Sequence, residues 1–212
     1  MTDSSSNWEW LKNTYWYVPE ENLLAIVSDA EKDTIQPIWD QTVFHIEDYS
    51  KGYFWGKTAV RFVPIGDSPR AGGLSAPVLC FQLVGSVTPE GSLYLSFSSS
   101  SSPAGQGSST GSPFPTPSTA ASNSGGNSTV GIGVMRFKAG EWRMELQMSS
   151  GAAQRVSHWA YMAQCKEGGE CMHELPGVRC SLPEFLGECG SPRTGSEGKP
   201  SAANSNVESP GA

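Results

Sequence analysis

Apolar and polar residues alternate with a period of two through several short runs of this chain, and Gly, Pro and Ser punctuate them, which is the pattern of β-hairpins. Thr42 to Tyr49 is followed by Ser50, Lys51 and Gly52 and then by Tyr53 to Phe62. Pro77 to Val87 is followed by Thr88 to Gly91 and then by Ser92 to Phe97. Gly131 to Lys138 is followed by Ala139 to Glu141 and then by Trp142 to Met148. Upstream, Tyr15 to Val18 and Leu24 to Ser28 read as strands, and Thr34 to Ile38 as another, which Pro37 confines to an edge or a bend. Ser157 to Met162 reads as the last strand, and Asn7 to Asn13 as a short helical turn capped by Asn7. About eight or nine strands with almost no helix predict an all-β fold, and closure into an antiparallel barrel is the favoured way to remove exposed edges.

Composition sets the limits of the folded part. Between Ser98 and Thr129, 25 of 32 residues are Ser, Gly, Pro or Thr, so this stretch lacks the apolar surface needed to offset its ordering entropy. From Gly190 to Ala212 there is no aromatic residue, and Val207 is the only branched aliphatic one. The expected organisation is a disordered start over 1–6, one barrel domain over 7–189 interrupted by a disordered loop over 98–129, and a disordered tail over 190–212.

The net charge of −7, with scattered basic residues, argues against a nucleic-acid partner. No run is apolar enough for a helical membrane span, and the polar start lacks the pattern of a signal peptide, so a cytoplasmic protein is expected. No phosphate loop, dinucleotide fingerprint, nucleophile elbow or zinc-protease helix is present, and no cofactor or metal is expected.

An early Trp on the first strand, in Asn13-Thr14-Tyr15-Trp16-Tyr17, followed by successive antiparallel hairpins, resembles the calycin group of barrels, which includes the lipocalins. Thr14 stands where the lipocalin pattern has Gly. The resemblance covers about 150 residues and implies a barrel whose lumen takes a small ligand.

Alternation sorts each strand into two faces. One set is apolar: Trp142, Met144, Leu146 and Met148, with Phe44, Ile46, Phe54, Val60 and Phe62. The other mixes charge with aromatic rings: His45, Glu47, Tyr53, Trp55, Lys57, Arg61, Arg143 and Glu145. With the apolar set inside, the barrel is filled or holds an apolar ligand. With the mixed set inside, the lumen is a reaction pocket, and Trp142, Met144, Leu146 and Met148 need an external cover such as a second copy of the chain.

On that second arrangement His45 and Glu47, one residue apart, form a proton-transfer pair, and Arg61 and Arg143 stabilise charge. Glu145 and His158 are further acid or base candidates, and Tyr53, Trp55 and Tyr94 shape a flat aromatic wall suited to an apolar or polycyclic molecule. Cys165, Cys171, Cys180 and Cys189 cluster within 25 residues, while Cys80 stands apart. Free thiols, or one clip tying the Glu184 to Leu186 segment to the barrel, are the working assumption; two disulfides or a zinc site with His173 are the alternatives.

The leading expectation is a cofactor-independent isomerase or cyclase that moulds an apolar small molecule in the lumen, as in natural-product biosynthesis. The alternatives are a non-catalytic lipocalin-like carrier and a disulfide-stapled secreted interaction domain.

Overall fold

The computed structural model describes residues 8–21, 23–65, 77–99, 129–150 and 154–189. The expected disordered stretches 1–6 and 190–212, the middle of the expected loop, and the capping residue Asn7 lie outside them. Ser98, Ser99 and Thr129, expected in the loop, end β6 and begin β7.

Nine strands form one antiparallel sheet: β1 (Thr14–Tyr17), β2 (Leu23–Asp29), β3 (Thr34–Ser50), β4 (Tyr53–Pro64), β5 (Leu79–Val87), β6 (Ser92–Ser99), β7 (Thr129–Lys138), β8 (Glu141–Ser150) and β9 (Gln154–Cys165). Each of β3 to β9 pairs with its sequence neighbour, and the sheet closes because β1 and β2 both lie between β3 and β9. β1 takes the Val43–Ile46 end of β3 and β2 the Thr34–Asp40 end, so the two short strands share one position in an eight-position closed barrel. The chain leaves the sheet between them, at Val18. There the side-chain amide of Gln41 stands in for the missing ladder: Oε1 accepts from the Val18 N–H at 3.2 Å and Nε2 donates to the Val18 carbonyl at 3.1 Å.

The two strands predicted over Thr34 to Ile38 and Thr42 to Tyr49 are one 17-residue strand, β3. The polar run Asp40-Gln41-Thr42 looks like an interruption in the sequence, yet the ladder to β4 passes straight through it. Pro37 keeps its expected edge position, since β4 pairs with β3 only from Ile38 onward. A bulge between Ile46 and Asp48 then shifts the register, and Tyr49 rather than Asp48 joins the core.

Closure turns the apolar set inward. Phe44, Ile46, Phe54, Leu83, Leu95, Phe97, Met144, Leu146 and Met148 form one buried cluster with Trp16. The cluster is sealed at the end that carries the tight turns by the 3-10 turn Trp8–Leu11, where Trp8 and Trp10 pack on Trp142. The Trp8 indole donates to the Thr88 carbonyl at 2.9 Å, and the Trp16 indole donates to Thr14 Oγ1 at 3.0 Å. Met144, Leu146 and Met148 are therefore interior, with Trp142 half-buried beside them, and the external cover anticipated for that face has nothing to cover.

The opposite end carries the four connections β2–β3, β4–β5, β6–β7 and β8–β9. Outside the wall, residues 166–189 pack as a flap over Val43 and Ala59 through Leu175, Val178, Leu182 and Phe185. Its helix α1 (Leu182–Gly187) opens with a Ser181/Glu184 capping box and a proline, local signals that start the one α-helix among the described residues. Two disulfides fix the flap, Cys165–Cys171 near its start and Cys80–Cys189 at its end. Cys80 is thus not the isolated cysteine its position in the chain implied, and Cys180 is the free one.

Candidate functional site

Inside the barrel, between the main cluster and a smaller one formed by Ala25, Val27 and Ile38, three polar side chains meet: Asp40, Thr42 and His158. Their placement follows from alternation. Asp40 and Thr42 share parity with Phe44 and Ile46 on β3 and so face inward. His158 shares parity with Ala160 and Met162 on β9. β2 lies between them, with Leu23 opposite Asp40 and Ala25 opposite His158, so only a methyl intervenes at the level of the imidazole.

His158 Nδ1 stands 2.8 Å from Asp40 Oδ2, with the His158 side chain 9 % exposed and that of Asp40 fully buried. The distance is that of an ion pair, but the ring N–H is not aimed at the oxygen, and Nδ1 makes no aligned hydrogen bond. The Thr42 hydroxyl lies 3.1 Å from each Asp40 oxygen and donates to the carboxylate. A buried carboxylate persists only with such neighbours, because desolvation costs several kcal/mol unless charge or hydrogen bonds offset it. Imidazole and carboxylate this close can hold and pass a proton, the carboxylate stabilising the imidazolium.

Of the residues predicted from sequence as catalytic, His158 reaches the interior and the others do not. His45 lies on the outer face, stacked on Tyr15 with ring centroids 4.2 Å apart, its Nε2 3.4 Å from Asn13 Oδ1. Burial against Tyr15 and its neighbours holds the His45 imidazole below the ordinary histidine range, against the upward pull of Glu47. Glu47, at the bulge, is 4.0 Å from His45 Nδ1 and is held at 3.0 Å by Lys57. Arg143 lies over the Tyr161 ring at 4.6 Å and 3.8 Å from Glu141, while Glu145 pairs with Arg136 at 3.4 Å. Tyr53, Trp55 and Tyr94 are exposed on the outer wall, Tyr53 by 62 %, and shape no lumen.

Arg61 also faces outward, yet it is buried because the flap covers it. Its Nη2 meets Glu188 at 2.6 Å and its guanidinium lies 5.2 Å from the Phe185 ring centroid. Burial pushes the nearby Cys180 thiol up, against the opposing pull of Arg61. Cys165 and Cys171 are bonded to each other, which removes both from the zinc set considered with His173 and Cys180. Among the described residues no cluster of three or more His, Cys, Asp or Glu side chains is placed to hold a metal, and no helix is long and apolar enough to cross a membrane.

Asp40 and Thr42 escaped the sequence reading because the strand was broken at that point. Read as one strand, the alternation from Ile38 to Ile46 puts both on the apolar face, and a carboxylate on such a face is the signal that was available. The sequence matches no protein-family model, no curated protein and no solved structure.

Proposed function

We propose that this chain is a calycin-like small-molecule barrel in which an apolar substrate undergoes cofactor-independent proton transfer at His158, as in an isomerase or cyclase. The observation that carries the reading is the interior His158–Asp40 pair, 2.8 Å apart and screened from solvent. An acid–base pair costs stability in an apolar core, and its chemistry is that of moving a proton. The surrounding wall supplies the mould: Leu23 and Phe62 stand opposite Asp40, and Ala25 and Met148 opposite His158. The early Trp16 and the run of hairpins support the calycin likeness.

A carrier function is favoured by one observation, that the apolar rather than the mixed parity set lines the interior. The two disulfides favour an oxidising compartment for either function, as a stapled secreted domain would require. The test is incubation in D2O with a panel of enolisable cyclic ketones, read by mass spectrometry, with binding followed in parallel by 1H–15N spectra. Deuterium incorporation that disappears in His158→Asn supports catalysis. Binding without incorporation selects the carrier, and no binding to the barrel leaves the stapled interaction domain.

A further inference from the structure

Every inward position on the described parts of β1 to β9 can be read from the register, and none carries Lys or Arg. The inward carboxylates are Asp29 and Asp40. Asp29 sits at the end of β2 and is committed to its own turn, accepting from the N–H groups of Glu31 and Lys32 at 3.0 and 3.1 Å and pairing with Lys32 Nζ at 3.2 Å. Asp40 is not committed in this way. A carboxylate offers about four lone-pair positions. The neighbours of Asp40 are one Thr42 hydroxyl, equidistant from both oxygens, and one imidazole whose Nδ1, 2.8 Å away, makes no aligned hydrogen bond. Acceptor capacity therefore exceeds donor supply at a fully buried carboxyl group, within an apolar wall where attraction between opposite charges is stronger than in water.

We propose that Asp40 anchors a cationic nitrogen, so that the substrate class of the barrel is an apolar molecule bearing a basic amine, with carboxylates and phosphates excluded. This rests on the reading of the interior as a ligand site and deepens it. An ammonium brings three N–H donors and a positive charge to the oxygens that Thr42 and His158 leave under-supplied. An anionic ligand would meet Asp40 with no lysine or arginine to offset the repulsion. Held at Asp40, such a substrate lies beside His158, the base assigned above, and a positively charged nitrogen makes its neighbouring C–H bonds more acidic.

The test compares octylamine, 1-octanol and octanoate, which share one tail, by isothermal titration of the full-length unreduced protein. Octylamine is expected to bind about tenfold tighter than octanol or better, the worth of one charge-assisted hydrogen bond, and octanoate more weakly than both. In Asp40→Asn the preference for the amine is expected to fall to within about threefold of unity while octanol binding persists. That variant separates Asp40 from the overall net charge of −7, which would favour an amine without any site. Octanol binding with no preference for the amine overturns the assignment and leaves the binding reading intact, as does an amine preference that survives Asp40→Asn. Binding of none of the three overturns both. Should Asp40→Asn not fold, His158→Gln keeps the carboxylate and removes the competing imidazole. The amine preference must then persist, and its loss refutes the anchor.

Discussion

Replacing Asp40 by Asn removes the charge of the interior pair while nearly preserving its shape. The Asp40 side chain is fully buried, with His158 Nδ1 at 2.8 Å and the Thr42 hydroxyl at 3.1 Å. Removing one partner of a buried pair costs about 3–5 kcal/mol, chiefly because the other is left uncompensated. Asn keeps an acceptor for Thr42, and the imidazole N–H was never aligned, so the lower end, about 3 kcal/mol, is expected. His158→Asn strands the carboxylate with Thr42 alone and should cost about as much. The double variant strands neither, and the cycle should close with a coupling of about 2 kcal/mol. The assay is urea unfolding at pH 7 of the unreduced protein, followed by tryptophan fluorescence, with equal m values for all four proteins as the condition for comparing them. A coupling below about 0.5 kcal/mol would refute the pair as an energetic unit. A companion variant, Asp40→Leu/Thr42→Val/His158→Leu, asks why the pair is there at all. If it serves chemistry, the apolar replacement should be as stable as the parent or more stable, by up to about 4 kcal/mol. A loss greater than about 3 kcal/mol would make the trio structural and remove the support for catalysis.

Gln41→Leu should cost about 3 kcal/mol, since it leaves the N–H and carbonyl of the fully buried Val18 without partners, and the Pro176 carbonyl loses a donor at 2.8 Å; a loss under about 1 kcal/mol in the same unfolding assay would mean that the amide does not bridge the break between β1 and β2. The lowered pKa of His45 gives a sign for pH: the folded state binds fewer protons than the unfolded one, so stability rises with pH through the region below the ordinary histidine value of 6.5 and levels off above it. His45→Gln should flatten that slope, and an unchanged pH profile of Tm would refute the assignment. Thiol titration of the unreduced, denatured protein should count one free cysteine, Cys180, and a count of five would refute both disulfides. Cys80→Ser opens a loop spanning 109 residues and should cost up to about 4–5 kcal/mol in the chain-entropy description, detaching the flap before the barrel melts.

What the chain declares by itself is local. Side chains alternate whatever the distant neighbours are, and turn residues sit where the backbone needs them, as at Lys51-Gly52 and Ala139-Gly140, all at positive φ. The strands, the hairpins and the two parity sets around Phe44 and Met144 could therefore be read directly. Which set faced inward was not a local property, because either face can be buried once something covers the other. Closure of the sheet decided it. Asp40 and His158 lie 118 positions apart (158 − 40) and face each other because both pair with β2, a juxtaposition that no pattern within either strand contains. Arg61 shows the converse. Its parity is outward, as alternation requires, yet the flap that Cys80 and Cys189 hold against the wall takes it out of water. Alternation depends on neighbours along the chain, whereas burial depends on whatever the closed surface brings alongside, and the interior acid–base pair belongs wholly to the second.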